Sequence, residues 1–511
     1  MTTFPWLSFV VLVPMLAGIL LLMVPAQSRG TVRVISVFST LVTLFGSIVV
    51  AMRYDLAQGG VQMAEHFPIL PSLGIAWDLG VDGWGVSLLL LTAIIIFAGA
   101  CATWTLEDRD KDFYILLLVL VSGVFGVFVS LDLFLFFLFY EIAVLPMYLL
   151  IAIWGSSKAV AKKGPFAFIW GRFDIGGREY AAMKLTLMLL LGSAAILVGM
   201  FAMVQASPEH SFNMISLAKG GIPASVQMWV FPALWLGFGT LAGVFPFHTW
   251  SPDGHASAPT AVSMLHAGVL MKLGAFGVMR VGMVLCPEAA HTWAPIVGAV
   301  AVINVVYGAL GAASQSDLKY IVAYSSVSHM GVVMLGAATM SVEGWNGAVY
   351  QMFAHGLMTG LLFALVGLIY GRAHDREIFG MGGFAKVMPG VAVFFTIAGL
   401  SSLGMPGFAG FIAEFQVFLG ALASGHVVWG VAGIIGAWIT AVYVLRATRA
   451  IFWGEGPPER FHHLSDAKGV EWIALVVLGG CLIAFGSWPR LLLDYIDVGT
   501  GEHLAHVLGG L

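Results

Sequence analysis

The chain has 511 residues, of which 59% are hydrophobic and only 10% are charged, with 23 Lys and Arg against 27 Asp and Glu. Soluble globular domains carry about 25% charged residues. High hydrophobicity, a net charge of -4 and three scattered cysteines together exclude disordered, fibrous, nucleic-acid-binding and disulfide-scaffold proteins. The composition therefore indicates an integral membrane protein without a metal or redox motif.

The apolar segments are long enough for transmembrane helices, which need about 20 residues, whereas β-barrel strands alternate over about ten. The sequence predicts an all-α polytopic protein with about fourteen such helices. The first segment lacks a basic leader region and is directly followed by Arg29 and a second span, so we expect it to remain in the mature protein. The predicted spans are 4–24, 31–52, 84–105, 112–131, 133–155, 180–204, 228–247, 258–283, 292–314, 319–339, 345–371, 386–418, 425–449 and 470–488.

Basic residues indicate the orientation of the chain, because short cytoplasmic loops are enriched in Lys and Arg. Loops after odd-numbered spans hold sixteen of them, whereas loops after even-numbered spans hold only Arg53, Lys219 and Arg280. This asymmetry predicts a multi-pass membrane protein with both termini on the outer side.

Glycine and proline cluster inside two spans, at 237–246 in the seventh and at 399–410 in the twelfth. Both helices are therefore predicted to be broken. Interrupted helices at corresponding places are typical of transporters built from inverted repeats. We predict two inverted five-helix repeats, spans 4–8 in segment 111–284 and spans 9–13 in segment 285–452. Segment 1–110 would hold spans 1–3, and segment 453–511 would hold span 14 and the C-terminal tail.

Ionisable residues at membrane depth are costly and usually line a protein interior or a water path. Such residues here are Glu141, Lys272, His329, His355 and Glu414. A carboxylate or amine whose partners change can alter its proton occupancy near neutral pH, and histidine titrates there already. The set predicts a proton path, although structural ion pairs or interhelical hydrogen bonds remain an alternative for each member.

Four further polar residues give weaker signals. His248, Asp253 and His255 are predicted in a short connection between the seventh and eighth spans, where capping and turn formation would explain them. Lys184 lies just inside the sixth span and could simply extend toward the interface.

Several motifs carry a resemblance to a known family. The chain resembles the antiporter-like subunits of proton-translocating NADH:quinone oxidoreductase, or respiratory complex I, and among them subunit M, also called chain 4. L-type subunits are longer, and N-type subunits have Lys in place of Glu414. The motifs are FPFHTW at 245–250, PDGHASAPTAVSML at 252–265, GVLMKLG at 268–274, FYE at 139–141, DLKY at 317–320, AYSS at 323–326, HMG at 329–331 and GMPG at 404–407.

The resemblance implies a non-redox subunit of the enzyme, in which Glu141, Lys272, His329, His355 and Glu414 form the proton-transfer axis and Glu414 is its terminal site. It further implies that this chain holds no cofactor. NADH, flavin, iron–sulfur clusters and quinone would belong to partner subunits, and the neighbours in the bilayer would be L-type and N-type antiporter-like subunits, with no nucleic acid.

One family residue is missing, because Leu241 stands where a lysine of the seventh helix is expected as the partner of Glu141. Lys184 could replace it as that partner, or His266 could act as a base between Glu141 and Lys272. A third hypothesis is a degenerate half that moves no protons. The basic segment 156–178 is either a docking surface or a topological signal.

Three other functions stay open on the sequence. The same fold occurs in membrane-bound hydrogenases and in multisubunit cation/proton antiporters. A non-pumping scaffold is favoured by Leu241. A solitary transporter of small solutes is the third alternative, and partner subunits would distinguish it from the others.

Overall fold

The computed structural model describes residues 4–156 and 177–509. The basic segment 156–178 lies outside the described residues except at its ends. Within the described part, the helices and strands follow in this order: α1 Trp6–Met23, α2 Arg29–Arg53, β1 Gln62–Leu70, β2 Ile75–Val81, α3 Gly83–Ala102, α4 Asp110–Val129, α5 Leu133–Trp154, α6 Gly177–Ala206, α7 Met214–Gly220, α8 Ala224–Ala242, α9 Trp250–Ser257, α10 Thr260–Met283, α11 Pro287–Ser314, α12 Leu318–Ala338, α13 Val342–Ala373, α14 Pro389–Ser402, α15 Ala409–Ala423, α16 Val427–Phe452, α17 Glu471–Ser487 and α18 Arg490–Gly509.

The helical, membrane-spanning character predicted from the sequence is confirmed. In the described ranges, twelve helical segments are long and apolar enough to cross a bilayer, or thirteen if α17 and α18, bent by 68°, form one span. The predicted twelfth span is divided between α14 and α15, which are each too short to cross alone. The number fourteen and the inverted repeats therefore stay predictions.

Aspartate and serine side chains begin several of these helices. Asp82 accepts a hydrogen bond from Gly85 N at 2.8 Å, Asp132 from Leu135 N at 2.9 Å and Ser341 from Gly344 N at 3.1 Å. Such N-caps satisfy backbone N–H groups that have no partner inside the helix. The polar residues between spans thus fix where the helices start.

Both predicted helix breaks are present. Helix α8 ends at Gly243, which has a φ of +76°, and a Cβ there would lie 2.6 Å from Met271 Cε. Helix α14 is followed by Gly404 with a φ of +71°. Glycine adopts this left-handed conformation without the steric penalty of other residues. The first break places the short helix α9 inside the helical bundle, and the second is followed by the short helix α15, which packs on α13 with one face and exposes the other.

Two elements are absent from the sequence prediction. A β-hairpin, β1 paired antiparallel with β2, follows α2, and the bent C-terminal helix α18 follows α17. The hairpin is held by Glu65, whose carboxylate accepts hydrogen bonds from Leu7 N at 2.8 Å and Ser8 N at 3.0 Å. The all-α description therefore needs correction by one hairpin, which was missed because β1 has no regular apolar alternation.

Helix α10 also departs from regular geometry. Its residues 266–270 and 278–283 adopt π-helical turns on either side of a regular segment that contains Lys272. Single π turns inside α-helices are frequent at functional sites. Every residue of this helix is buried except Thr260 at its start, so it occupies the centre of the bundle.

Candidate functional site

Lys272 and His355 meet in the centre of the bundle. Both side chains are fully buried, and Lys272 Nζ lies 2.6 Å from His355 Nδ1. The ammonium group also donates to the carbonyl oxygen of Ala267, within the first π turn of α10. The Lys272 amine is thus held between one titratable ring and one backbone acceptor, without a carboxylate partner among the described residues.

His329 and Glu414 continue this line toward α15. The rings of His355 and His329 are 5.4 Å apart between centroids, and His329 Nε2 lies 3.5 Å from Glu414 Oε1. His329 Nε2 is also 3.2 Å from the carbonyl oxygen of Ser402, at the end of α14. Four of the five sequence-predicted residues therefore form one buried row, which we call the central row: Lys272, His355, His329 and Glu414.

Close helix packing positions the central row. A Cβ on Gly356 would lie 2.6 Å from the carbonyl oxygen of Gly268, and a Cβ on Gly347 would lie 2.6 Å from Val417 N. Only glycine allows backbones to approach this closely. The first pair joins α13 to α10 near Lys272, and the second joins α13 to α15 near Glu414.

Glu141 lies apart from the central row. It is half-buried on α5, next to Ser193 of α6, and its Oε1 has no hydrogen-bond partner among the described residues. Leu241 on α8 is fully buried. No Lys, Arg or His of the described chain lies within ion-pair distance of Glu141. The structure does not connect the fifth predicted residue to the other four.

Lys184 does not pair with Glu141, which corrects one of the sequence hypotheses. Its ammonium group lies 2.7 Å from Asp253 Oδ2, and Tyr320 donates from its hydroxyl to Asp253 Oδ1 at 2.9 Å. The side chain is held by this carboxylate, so it does not simply extend toward the interface. Lys184 pairs with Asp253 and not with Glu141, because helix α9 brings Asp253 against α6.

The segment with His248, Asp253 and His255 is a buried part of the bundle, not a connecting turn as predicted. It forms a short 3-10 turn, 247–249, and then helix α9. His248 packs against Tyr307, with 5.0 Å between ring centroids, and neither of its ring nitrogens has a hydrogen-bond partner among the described residues. His248 thus packs among aromatic side chains and is not part of the central row.

His266 faces His255 inside the bundle. Their ring centroids are 4.1 Å apart, and His266 also stacks on Trp250 at 5.1 Å. Both histidines are at most 1% exposed. His255 lies within electrostatic range of Lys272 and Lys319 as well as His266. This histidine pair sits beside the central row, at the side where α9 enters the bundle.

An ion-pair cluster at the end of α10 is not predicted by the sequence. Arg280 is predicted in a loop, but it is part of α10, and its guanidinium contacts the Asp82 carboxylate and His503 of α18. His503 Nε2 lies 2.7 Å from Asp82 Oδ2. Burial raises the pKa of Asp82, but Arg280 and His503 outweigh it, so its pKa lies well below the ordinary value. The feature of the sequence that could have indicated this cluster is Asp82, an acidic residue directly before the apolar segment that begins at Gly83.

Together the bundle and its buried row define a class: polytopic helical membrane proteins that hold charged and titratable groups in a line between helices. Among the described residues, no group of three or more His, Cys, Asp or Glu is placed to hold a metal ion. A family model described as "NADH:quinone oxidoreductase/Mrp antiporter, TM" matches residues 130–440. The chain belongs to this family.

Relatives of known name match nearly the whole chain. A protein of Picosynechococcus sp. named NAD(P)H-quinone oxidoreductase chain 4 1 is 36% identical, over 99% of this chain and 93% of its own length. The chloroplastic NAD(P)H-quinone oxidoreductase chain 4 of Mesostigma viride is 34% identical, over 99% and 98%.

Solved structures give the same result for the fold. A chain of respiratory complex I from Thermus thermophilus superposes with a TM-score of 0.86 at 28% identity, covering 98% of this chain and 99% of that one. A chain of the Mrp complex from Dietzia sp. superposes with a TM-score of 0.82 at 20% identity, covering 99% of each. The second likeness concerns the fold alone.

Proposed function

We propose that this chain is a proton-translocating membrane-arm subunit of a complex I-like NADH:quinone oxidoreductase. The central row is the observation that carries the proposal, since four titratable groups lie one after another between the buried helices. The relatives named chain 4 match the whole chain at 34–36% identity, which supports this assembly over an Mrp-type antiporter.

The geometry gives each member of the row a role. Lys272 can pass a proton directly to His355, because a separation of 2.6 Å is within hydrogen-bonding distance. The 5.4 Å between the rings of His355 and His329 is longer, so this step needs a ring movement or an intervening water. Glu414 then receives the proton from His329 and is the terminal site of the row.

The driving reaction belongs to partner subunits in this proposal. NADH, flavin, iron–sulfur clusters and quinone would be bound there, and quinone reduction would supply the energy. L-type and N-type antiporter-like subunits would be the neighbours of this chain in a bacterial inner membrane, with both of its termini on the outer side. The segments 111–284 and 285–452 would be the two inverted repeats.

We further propose that the half of the chain with Glu141 does not switch its carboxylate against a lysine. Leu241 offers no charge, and Lys184 is engaged by Asp253. The pair His255 and His266 lies outside the central row but within electrostatic range of Lys272, so it could take over proton supply to that side chain.

Proton uptake by inverted membrane vesicles that contain the assembled enzyme tests the central row. Substituting Glu414→Gln removes the terminal acceptor while it keeps the shape, so we expect fewer protons translocated per NADH oxidised. Glu343→Gln is the matched control, because Glu343 is an exposed residue in the first turn of α13. An unchanged ratio in the Glu414 variant, with normal assembly, would refute the proposed role and favour a non-pumping scaffold.

A further inference from the structure

A small basic cavity lies at the end of α16, away from the central row. It has a volume of about 450 Å³ and lies between the end of α16 and the loop before α14. Positive-inside asymmetry predicts that this end of α16 faces the cytoplasm. The lining residues are Met381, Gly382, Arg446, Arg449, Ala450, Trp453 and Gly454.

Among the described residues, the two arginines of the cavity have no acidic partner. Neither Arg446 nor Arg449 forms an ion pair within the described ranges, whereas Arg372 pairs with Glu471 and Arg376 with Asp317 on neighbouring elements. Arg446 donates from one terminal nitrogen to the carbonyl oxygen of Gln315 at 2.9 Å, but its buried Nε has no hydrogen-bond partner in the described structure. The cavity therefore offers positive charge and free donors to an anion.

An exposed apolar stripe leads along α16 to this cavity. Trp438, Val442 and Leu445 are 69%, 48% and 54% exposed, and Arg449 and Trp453 continue the same helix face at spacings of three or four residues. In a membrane such a stripe contacts acyl chains, and Trp and Arg at its end lie at the level of the lipid headgroups. The stripe thus brings the phosphate of a lipid next to the arginines.

Two glycines shape the opposite wall of the cavity. Gly382 and Gly454 have φ values of +154° and +133°, a region that other residues rarely adopt. Gly383 N donates to the carbonyl oxygen of Trp453 at 2.9 Å, which holds the loop against the end of the helix. Without side chains on this wall, a headgroup can approach the backbone closely.

We propose that this cavity binds the phosphate of an anionic phospholipid, with Arg446 and Arg449 on the phosphate and the acyl chains along the stripe of α16. Arg is well suited to phosphate because its planar guanidinium can donate two parallel hydrogen bonds. The site is independent of proton transfer through the central row, so its failure would leave the proposed function intact.

Native mass spectrometry of the purified assembly, delipidated and titrated with cardiolipin, phosphatidylglycerol or neutral phosphatidylcholine in mixed micelles, tests the site. The variant is Arg446→Gln with Arg449→Gln. The matched control is Arg29→Gln with Lys468→Gln, which removes the same charge from exposed positions on the same predicted side. Each basic residue contributes about fivefold to binding of an anionic lipid, so we expect an affinity loss of roughly twenty- to thirtyfold in the first variant only.

Three results would overturn the proposal. One is equal lipid affinity in wild type and both variants. Another is inorganic phosphate occupying the cavity while anionic lipid does not bind, which would make the ligand a free anion. The third is a photoreactive residue at Leu445 that labels a neighbouring subunit and no lipid. The variant Arg446→Lys with Arg449→Lys keeps both charges but loses the planar donor pairs, so it should lose less affinity than the glutamine variant, which separates lost charge from misfolding.

Discussion

The contact between α13 and α15 provides a sharp test of the central row. A Cβ at Gly347 of α13 would lie 2.6 Å from Val417 N and 3.0 Å from the carbonyl oxygen of Ala413. Ordinary contact begins at 3.4 Å, so Gly347→Ala forces α15 outward by about 0.8 Å, and both obstructing atoms are backbone. Helix α15 carries Glu414, whose carboxylate would move relative to His329.

The size of the effect follows from this displacement. Overpacking costs roughly 1–3 kcal/mol, which exceeds the gain of about 1 kcal/mol from replacing glycine by alanine in a helix. A misplacement of about 1 Å at a reacting group can cost on the order of 10²-fold in rate. We therefore expect Gly347→Ala to slow proton transfer through the central row at least tenfold, which lowers the number of protons translocated per NADH by the share that this subunit carries, with a smaller loss of thermal stability.

The assay compares this variant with Gly371→Ala, in the same helix, where an added Cβ meets no atom within 4 Å. Proton uptake in inverted vesicles and blue-native electrophoresis would be measured for both. We expect Gly371→Ala to behave as wild type. If Gly347→Ala assembles and pumps normally, the close packing of α13 and α15 does not position Glu414, and the reasoning is wrong.

Two other predictions concern the missing lysine and the Asp82 cluster. Leu241→Lys places a cation on α8, in the same half of the chain as Glu141. If that half is merely degenerate, we expect assembly to be retained and proton translocation to stay at or above the wild-type level. A loss of assembly would show that the site rejects charge. Asp82→Asn removes the carboxylate of the buried pair with Arg280, a change worth about 3–5 kcal/mol in stability. The control Asp112→Asn removes an exposed pair with Arg109, 2.8 Å long, which is worth at most about 1 kcal/mol. Because the pKa of Asp82 is lowered, the contribution of its carboxylate to the free energy of unfolding is present at neutral pH and is lost only as pH falls through that pKa. Equal melting temperatures of the two variants at pH 7 would therefore contradict a stabilising role of the buried ion pair.

The helices could be predicted from the sequence because each depends on a property of a short, continuous segment. A run of about 20 apolar residues must form a helix in a bilayer, since its backbone has no other hydrogen-bond partners there. Glycine and proline clusters likewise marked the two breaks, including Gly243 and Gly404. Rare charges at membrane depth marked four residues that the structure brings together. Each of these signals is contained in a short stretch of chain.

The contacts that the sequence did not predict join distant segments. Arg280 and His503 are 223 positions apart, and Lys184 and Asp253 are 69 apart. Their pairing depends on how α10 meets α18 and how α9 meets α6, which no local pattern contains. Lys184 therefore has an acidic partner other than the one inferred from the family pattern. The β-hairpin was missed for a different reason, since most of β1 is exposed and lacks alternation.

His266 gives the most direct test of how the chain works without a lysine at position 241. Its ring lies 4.1 Å from His255 between centroids and is fully enclosed, so His266→Leu preserves most of the volume while it removes both ring nitrogens. If the histidine pair supplies protons to Lys272, we expect a reduced number of protons per NADH with normal assembly. His291→Leu, at a partly exposed position on α11, is the control.

The outcome separates two mechanisms. If the number of protons per NADH falls in His266→Leu but not in His291→Leu, the histidine pair supplies protons to Lys272 in place of the missing lysine. Full translocation in both variants means that Lys272 receives protons by another route, and the pair is then structural. Because a buried histidine can also be needed for packing against Trp250, His266→Gln serves as a second variant: it restores a hydrogen-bonding side chain without a titratable ring, so only a loss that persists there supports proton transfer.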